Sequence, residues 1–107
     1  MSLMNKILSP LKYLKARKLQ NTQWRCDTQI EELAEYYQLN FVSSCKVEGF
    51  SKTFLETEPQ HMFTANFTLE DETTIQFFNQ SESFTGLLSS TILMATIEGE
   101  MLLFRKC

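Results

Sequence analysis

The sequence predicts an α+β domain that is mainly antiparallel β, a meander of about six strands with one or two N-terminal helices. Three observations predict it. Residues 4–19 repeat apolar side chains every three or four positions, whereas the chain from Asn40 onward alternates with period two. All nine phenylalanines lie between Phe41 and Phe104, so the large apolar side chains are concentrated in the predicted sheet. Short polar connections separate the alternating runs, and two of them contain glycine. The chain has 107 residues and no repeat, linker or low-complexity tract, so 1–107 reads as a single domain.

The chain opens Met1-Ser2-Leu3-Met4, which fits a short leader before a natural start at Met4. Met4, Ile7, Leu8, Leu11 and Leu14 then form one apolar stripe of a basic amphipathic helix over residues 4–20. Ser9 and Pro10 are placed to restart it as N-cap and first helical residue. Lys6, Lys12, Lys15, Arg17 and Lys18 occupy much of the rest of its surface and are the candidate contacts to an acidic partner or an anionic membrane. The plainer reading packs the stripe on the protein's own sheet. These lysines and Pro10 interrupt any export signal, so a cytoplasmic location is expected, or a periplasmic or secreted one if a signal has been removed.

Residues 22–107 form the acidic, Phe-rich body. Residues 22–28 read as strand, because Trp24, Cys26 and Thr28 alternate. Residues 28–39 read as a short helix, with Ile30, Leu33, Ala34 and Tyr37 on one face and Thr28 with Glu31 as a capping box. Ile30 also continues the alternation of Trp24, Cys26 and Thr28, so 22–39 fits strand as well as helix. Phe41, Ser43, Cys45 and Val47 then alternate, and Glu48-Gly49 is expected to turn the chain into Phe50–Phe54. His61, Phe63, Ala65, Phe67 and Leu69 share one strand face, and Glu70-Asp71-Glu72 connects them to a strand over 73–78. Phe84, Leu87 and Leu88 have the spacing of one helical turn within 82–90. The last hairpin runs from Ile92–Ile97 through Glu98-Gly99-Glu100 to Met101–Arg105.

Two architectures fit these elements. Helices cover one face of an open sheet, or the sheet curls into a partly closed barrel. The stretch Leu19-Gln20-Asn21-Thr22-Gln23-Trp24 resembles the start of lipocalin-like barrels, with Thr22 where those carry glycine two residues before the tryptophan. The resemblance covers these residues and implies the barrel.

Charge divides the chain. Met1 to Arg25 holds six basic residues and no acidic one, and the remainder holds all 13 acidic residues against four basic ones. A polyanion would be repelled by that body, and its aromatic residues are not interleaved with basic ones, so nucleic-acid binding is not expected. Cys26, Cys45 and Cys107 match no zinc spacing, and their odd number suits a reducing compartment. Cys26 and Cys45 are both expected to point inward, where they would be small hydrophobes or, in an oxidising compartment, a disulfide. His61 is the only histidine, with Glu58 three residues away, and no nucleophile motif accompanies it. The acids of Glu70-Asp71-Glu72 lack the spacing of a calcium loop. Asn66-Phe67-Thr68 and Asn79-Gln80-Ser81 fit the glycosylation sequon.

The expected function is therefore a non-enzymatic interaction domain with no cofactor, acting through the sheet or the basic helix and able to form a homodimer by opposite charge at its two ends. The alternatives are a carrier of a small apolar ligand in a Phe-lined half-barrel and a peripheral membrane protein.

Overall fold

Alternation puts every second strand residue on one face, and a sheet with one apolar face must bury that face. In this computed structural model, which describes residues 18–26, 34–97 and 99–107, the sheet does so by closing on itself. Eight antiparallel strands follow one another in order: β1 (Thr22–Cys26), β2 (Ala34–Phe41), β3 (Lys46–Thr53), β4 (Gln60–Leu69), β5 (Thr74–Phe78), β6 (Ser83–Leu88), β7 (Ile92–Ile97) and β8 (Glu100–Lys106). Closure comes from β1 pairing with β8, at Trp24 opposite Lys106 and Arg25 opposite Arg105.

Inward positions carry the core. Trp24 and Cys26 on β1, Leu39 and Phe41 on β2, Val47 on β3, Phe67 and Leu69 on β4, and Ile75 and Phe77 on β5 are all buried. Leu88, Leu93, Ala95, Leu102 and Phe104 complete the cluster from the last three strands. Outward positions such as Gln23, Arg25, Thr64, Asn66 and Thr68 are polar and exposed. This is the inverse of a membrane-spanning barrel, whose apolar band faces outward.

The mainly antiparallel architecture is as the sequence predicts, but the described residues form eight strands rather than six, and strands occupy 34–39 and 83–88 within two predicted helices. The predicted helix over 28–39 lies outside the described residues up to 33, and its remainder is the start of β2. The register slips between Ala34 and Tyr36, with Glu35 as the extra residue. A bulge shifts the alternation by one, so the apolar Ala34 and Tyr37 fall three apart and imitate a helix. The predicted turn at 82–90 is β6, where Phe84, Gly86 and Leu88 follow the inward alternation and Leu87 is exposed. Because the middle inward residue is glycine, only the spacing of four between Phe84 and Leu88 shows in the sequence.

Gly49 does not turn the chain either. It lies within β3, opposite Phe63, and a Cβ there would sit 2.2 Å from the Phe63 ring. The β2–β3 connection is instead residues 42–45, held by Ser43, whose Oγ accepts from the amides of Cys45 (3.2 Å) and Lys46 (3.1 Å). The hairpins around 70–73 and Gly99 stand as predicted, and Gly99 has the positive φ of 80° that its turn requires.

The predicted N-terminal helix over 4–20 lies outside the described residues up to 17, and among the described residues only Lys18 and Leu19 are helical. Leu19 is buried at one end of the barrel. Asn21, with φ of 64°, turns the chain into β1 and donates its amide to the Phe41 carbonyl at 2.7 Å. Thr22 relays between the two elements: its hydroxyl donates to the Leu19 carbonyl and accepts from Trp24 Nε1 at 2.9 Å.

Candidate functional site

The barrel has two unlike halves. The half nearest Leu19 is filled by aromatic rings meeting edge to face, with Phe41 6.5 Å from Trp24 and 5.0 Å from Phe67 between centroids. Phe77 adds a tilted contact with Phe41 and stacks on Phe84 at 4.7 Å. The other half contains a cavity of about 230 Å³. Its walls are Tyr37 and Leu39 from β2, Gly49 from β3, Met62 and Phe63 from β4, Ile97 from β7, and Glu100, Leu102 and Phe104 from β8, with Gln38 and Phe50 also bordering it.

Two local devices leave that space. Gly49 presents no side chain, and the Phe63 ring lies over it, so this wall recedes by a whole residue. The register of β3 and β4 also slips at this point: Gly49 faces Phe63, Phe50 faces His61, and Met62 is the extra residue. A bulge bends the strand away from its partner and increases twist. It also takes His61 off the face shared by Phe63, Ala65, Phe67 and Leu69, correcting the expected alignment. His61 is exposed, bonds Thr64 Oγ1 through Nε2 at 2.9 Å, and meets Phe50 edge-on at 5.5 Å.

The open half is also distinct at its rim. Phe54, Leu55, Met62, Phe78 and Met101 are exposed and all belong to this end of the barrel. The connections 54–59 and 79–82 and the start of β8 carry Glu56, Glu58, Glu82 and Glu100, with no Lys or Arg among them. Lys52, at the same end of β3, is bound by Glu35 and by the Thr53 carbonyl at 3.3 Å. Among the described residues, Glu100 is the one charged side chain in the cavity wall.

Of the candidate contact residues, Lys6, Lys12, Lys15 and Arg17 lie outside the described residues, and Lys18 is exposed. Cys26 is buried, but Cys45 is exposed rather than inward, and both are free, as is the exposed Cys107. Cys45 falls in the turn after β2, where the strand alternation no longer applies. Buried Cys26 and exposed His61 do not meet, and no three His, Cys, Asp or Glu side chains converge among the described residues. Asp71 caps the β4–β5 turn: its Oδ1 accepts from the Thr73 and Thr74 amides at 2.8 Å each and from Thr73 Oγ1 at 3.1 Å. These bonds, the Thr73 amide first, hold its pKa below the usual carboxylate value. Asn79 does the same for the β5–β6 turn, where Oδ1 accepts from the Ser81 and Glu82 amides at 3.0 Å. Asn66, in the other sequon, is exposed on β4.

No family model matches this chain, and no curated protein or solved structure matches it either. The barrel and its cavity therefore carry the functional argument. The cavity residues Tyr37, Met62, Ile97 and Glu100 were not singled out by sequence reasoning, since nothing in local pattern distinguishes a residue lining a void from one filling a core.

Proposed function

We propose that this protein is a carrier of a small, largely apolar molecule, held in the open half of the barrel. The observation that carries the reading is a cavity of about 230 Å³, walled mainly by Leu, Ile, Met and aromatic side chains, in a barrel whose other half is filled. The cleft opens to solvent, so an apolar molecule entering it would displace water and gain contacts with the walls. An apolar cavity of about 150 Å³ takes benzene, and drug-sized ligands need about 300 Å³ or more. The ligand class is thus a single ring system or a medium alkyl chain. The apolar rim at Phe54 and Leu55 supports entry of such a molecule from this end.

The carrier reading is preferred to association through the sheet because the sheet turns its apolar face inward and covers it with its own core, leaving no open apolar sheet face for a second chain among the described residues. Calorimetric titration with 1-octanol tests it. The intact protein should bind saturably at one site, and Leu102→Phe, which places a ring in the cavity, should weaken binding at least tenfold while remaining folded by circular dichroism. Ile97→Phe serves the same purpose from the adjacent strand β7. Equal binding by the parent and both filled variants would sink the proposal.

A further inference from the structure

We infer that the occupant is an amphiphilic cation, an alkyl or aryl amine whose ammonium lies at the mouth and whose apolar part enters the cavity; this rests on the carrier reading above. A barrel that holds a carboxylate needs a cation to receive it, because an ionised head group loses hydration on approaching an apolar interior. Among the described residues the wall contains no Lys, Arg or His, and its one charge is Glu100. Glu100 is the first residue of β8, opposite Ile97, so it stands at the opening rather than on the floor. Leu102 and Phe104 continue the same face of β8 inward.

Aromatic faces favour the same sign. Tyr37 and Phe63 border the cavity, and aromatic faces attract cations within about 6 Å of the ring centroid. The surroundings add to this. Glu56, Glu58 and Glu82 occupy the neighbouring connections, and the cation on this end of β3, Lys52, is already engaged by Glu35. A cleft edged by one sign of charge concentrates ligands of the other sign. An anionic amphiphile would meet repulsion at every described connection of this end.

The test compares three octyl probes of equal chain length, octylammonium, 1-octanol and octanoate, by calorimetry at neutral pH and low salt. Glu100 is exposed and its pairing with the head group partly screened, so the expected preference is moderate. Octylammonium should bind about three- to tenfold tighter than octanol and more than tenfold tighter than octanoate. Raising the salt to about 1 M should shrink that spread. Glu100→Gln should bring octylammonium affinity close to that of octanol measured on the same variant. Leu102→Phe separates the cavity from surface adsorption: ammonium binding that survives it overturns the inference. So does octanoate binding as tightly as octylammonium, or a preference undiminished in Glu100→Gln. If octanol fails to bind as well, the carrier reading itself falls; if octanol binds and the cation preference is missing, only this inference does.

Discussion

The two halves of the barrel are made by the same eight strands, yet one is filled and the other hollow. The filled half takes its rings from positions where alternation is unbroken: Trp24, Phe41, Phe67 and Phe77 each lie flat in the inward sequence of their strands. The hollow half coincides with both register slips, at Glu35 on β2 and at Met62 on β4. Regular alternation delivers side chains to a common axis. Each bulge displaces one, and Gly49 removes another, so the second half lacks the volume to fill its own interior. The contrast shows that a cavity can be encoded by breaks in a pattern and not by any special composition.

Replacing a ring in each half tests the contrast most severely. Phe41→Ala removes a side chain with no exposed surface that contacts three other rings, and should cost about 3–5 kcal/mol in urea denaturation. Phe63→Ala, half-buried at the cavity wall, should cost about 1–2 kcal/mol. Equal losses would mean that the halves are not energetically distinct. Gly49→Ala comes next. The new methyl meets the Phe63 ring, so a loss of about 1–3 kcal/mol is expected, and octanol binding should weaken as the ring moves into the cavity. In a Phe63→Ala background the same substitution should cost less than half as much, and a double-mutant cycle reads the difference.

The smallest expected effect separates the turns at the two ends. Asp71 closes β4–β5 at the filled end, and Asn79 closes β5–β6 at the hollow end with the same acceptor geometry. Because the folded-state pKa of Asp71 is lowered, its carboxylate stabilises the fold above its unfolded pKa. That contribution is lost as pH falls through the folded value. Asp71→Asn should therefore flatten the acid limb of stability against pH, while Asn79→Asp should steepen it. Hydrogen exchange of the two hairpins across the carboxylate range checks this, and an unchanged acid limb in both variants would show that neither turn limits stability.

How much of this could be read from the residues depends on whether alternation survives. Where it does, in 63–69, 74–78 and 92–97, the strands were legible, as were the shared face of Phe63, Ala65, Phe67 and Leu69 and the turn at Gly99. Where a bulge or an inward glycine intervenes, the same sequence imitates a helix, as at Ala34 and Tyr37 or at Phe84 and Leu88. Gly49 was visible but its role was not, since a glycine that admits a facing ring from another strand looks locally like a turn glycine. Closure was hinted at by Trp24 and its surroundings alone. The cavity was beyond reach, because it is a property of how residues from β2, β3, β4, β7 and β8 converge across the chain.

The pairing of β1 with β8 has a consequence for how the molecule is assembled. The other seven ladders join strands that are neighbours in the chain, so each can zip up soon after its two strands exist. The β1–β8 ladder joins opposite ends of the described chain through two register pairs, and Cys107 reinforces it by donating its amide to the Gln23 carbonyl at 2.8 Å. Its loop-closure entropy is the largest of the eight, so it forms last. Until it forms, the open sheet presents Phe41, Phe67 and Phe77 on one uncovered face between two unpaired edges. That open sheet is a sticky, two-edged intermediate, and its lifetime depends on how quickly β1 meets β8.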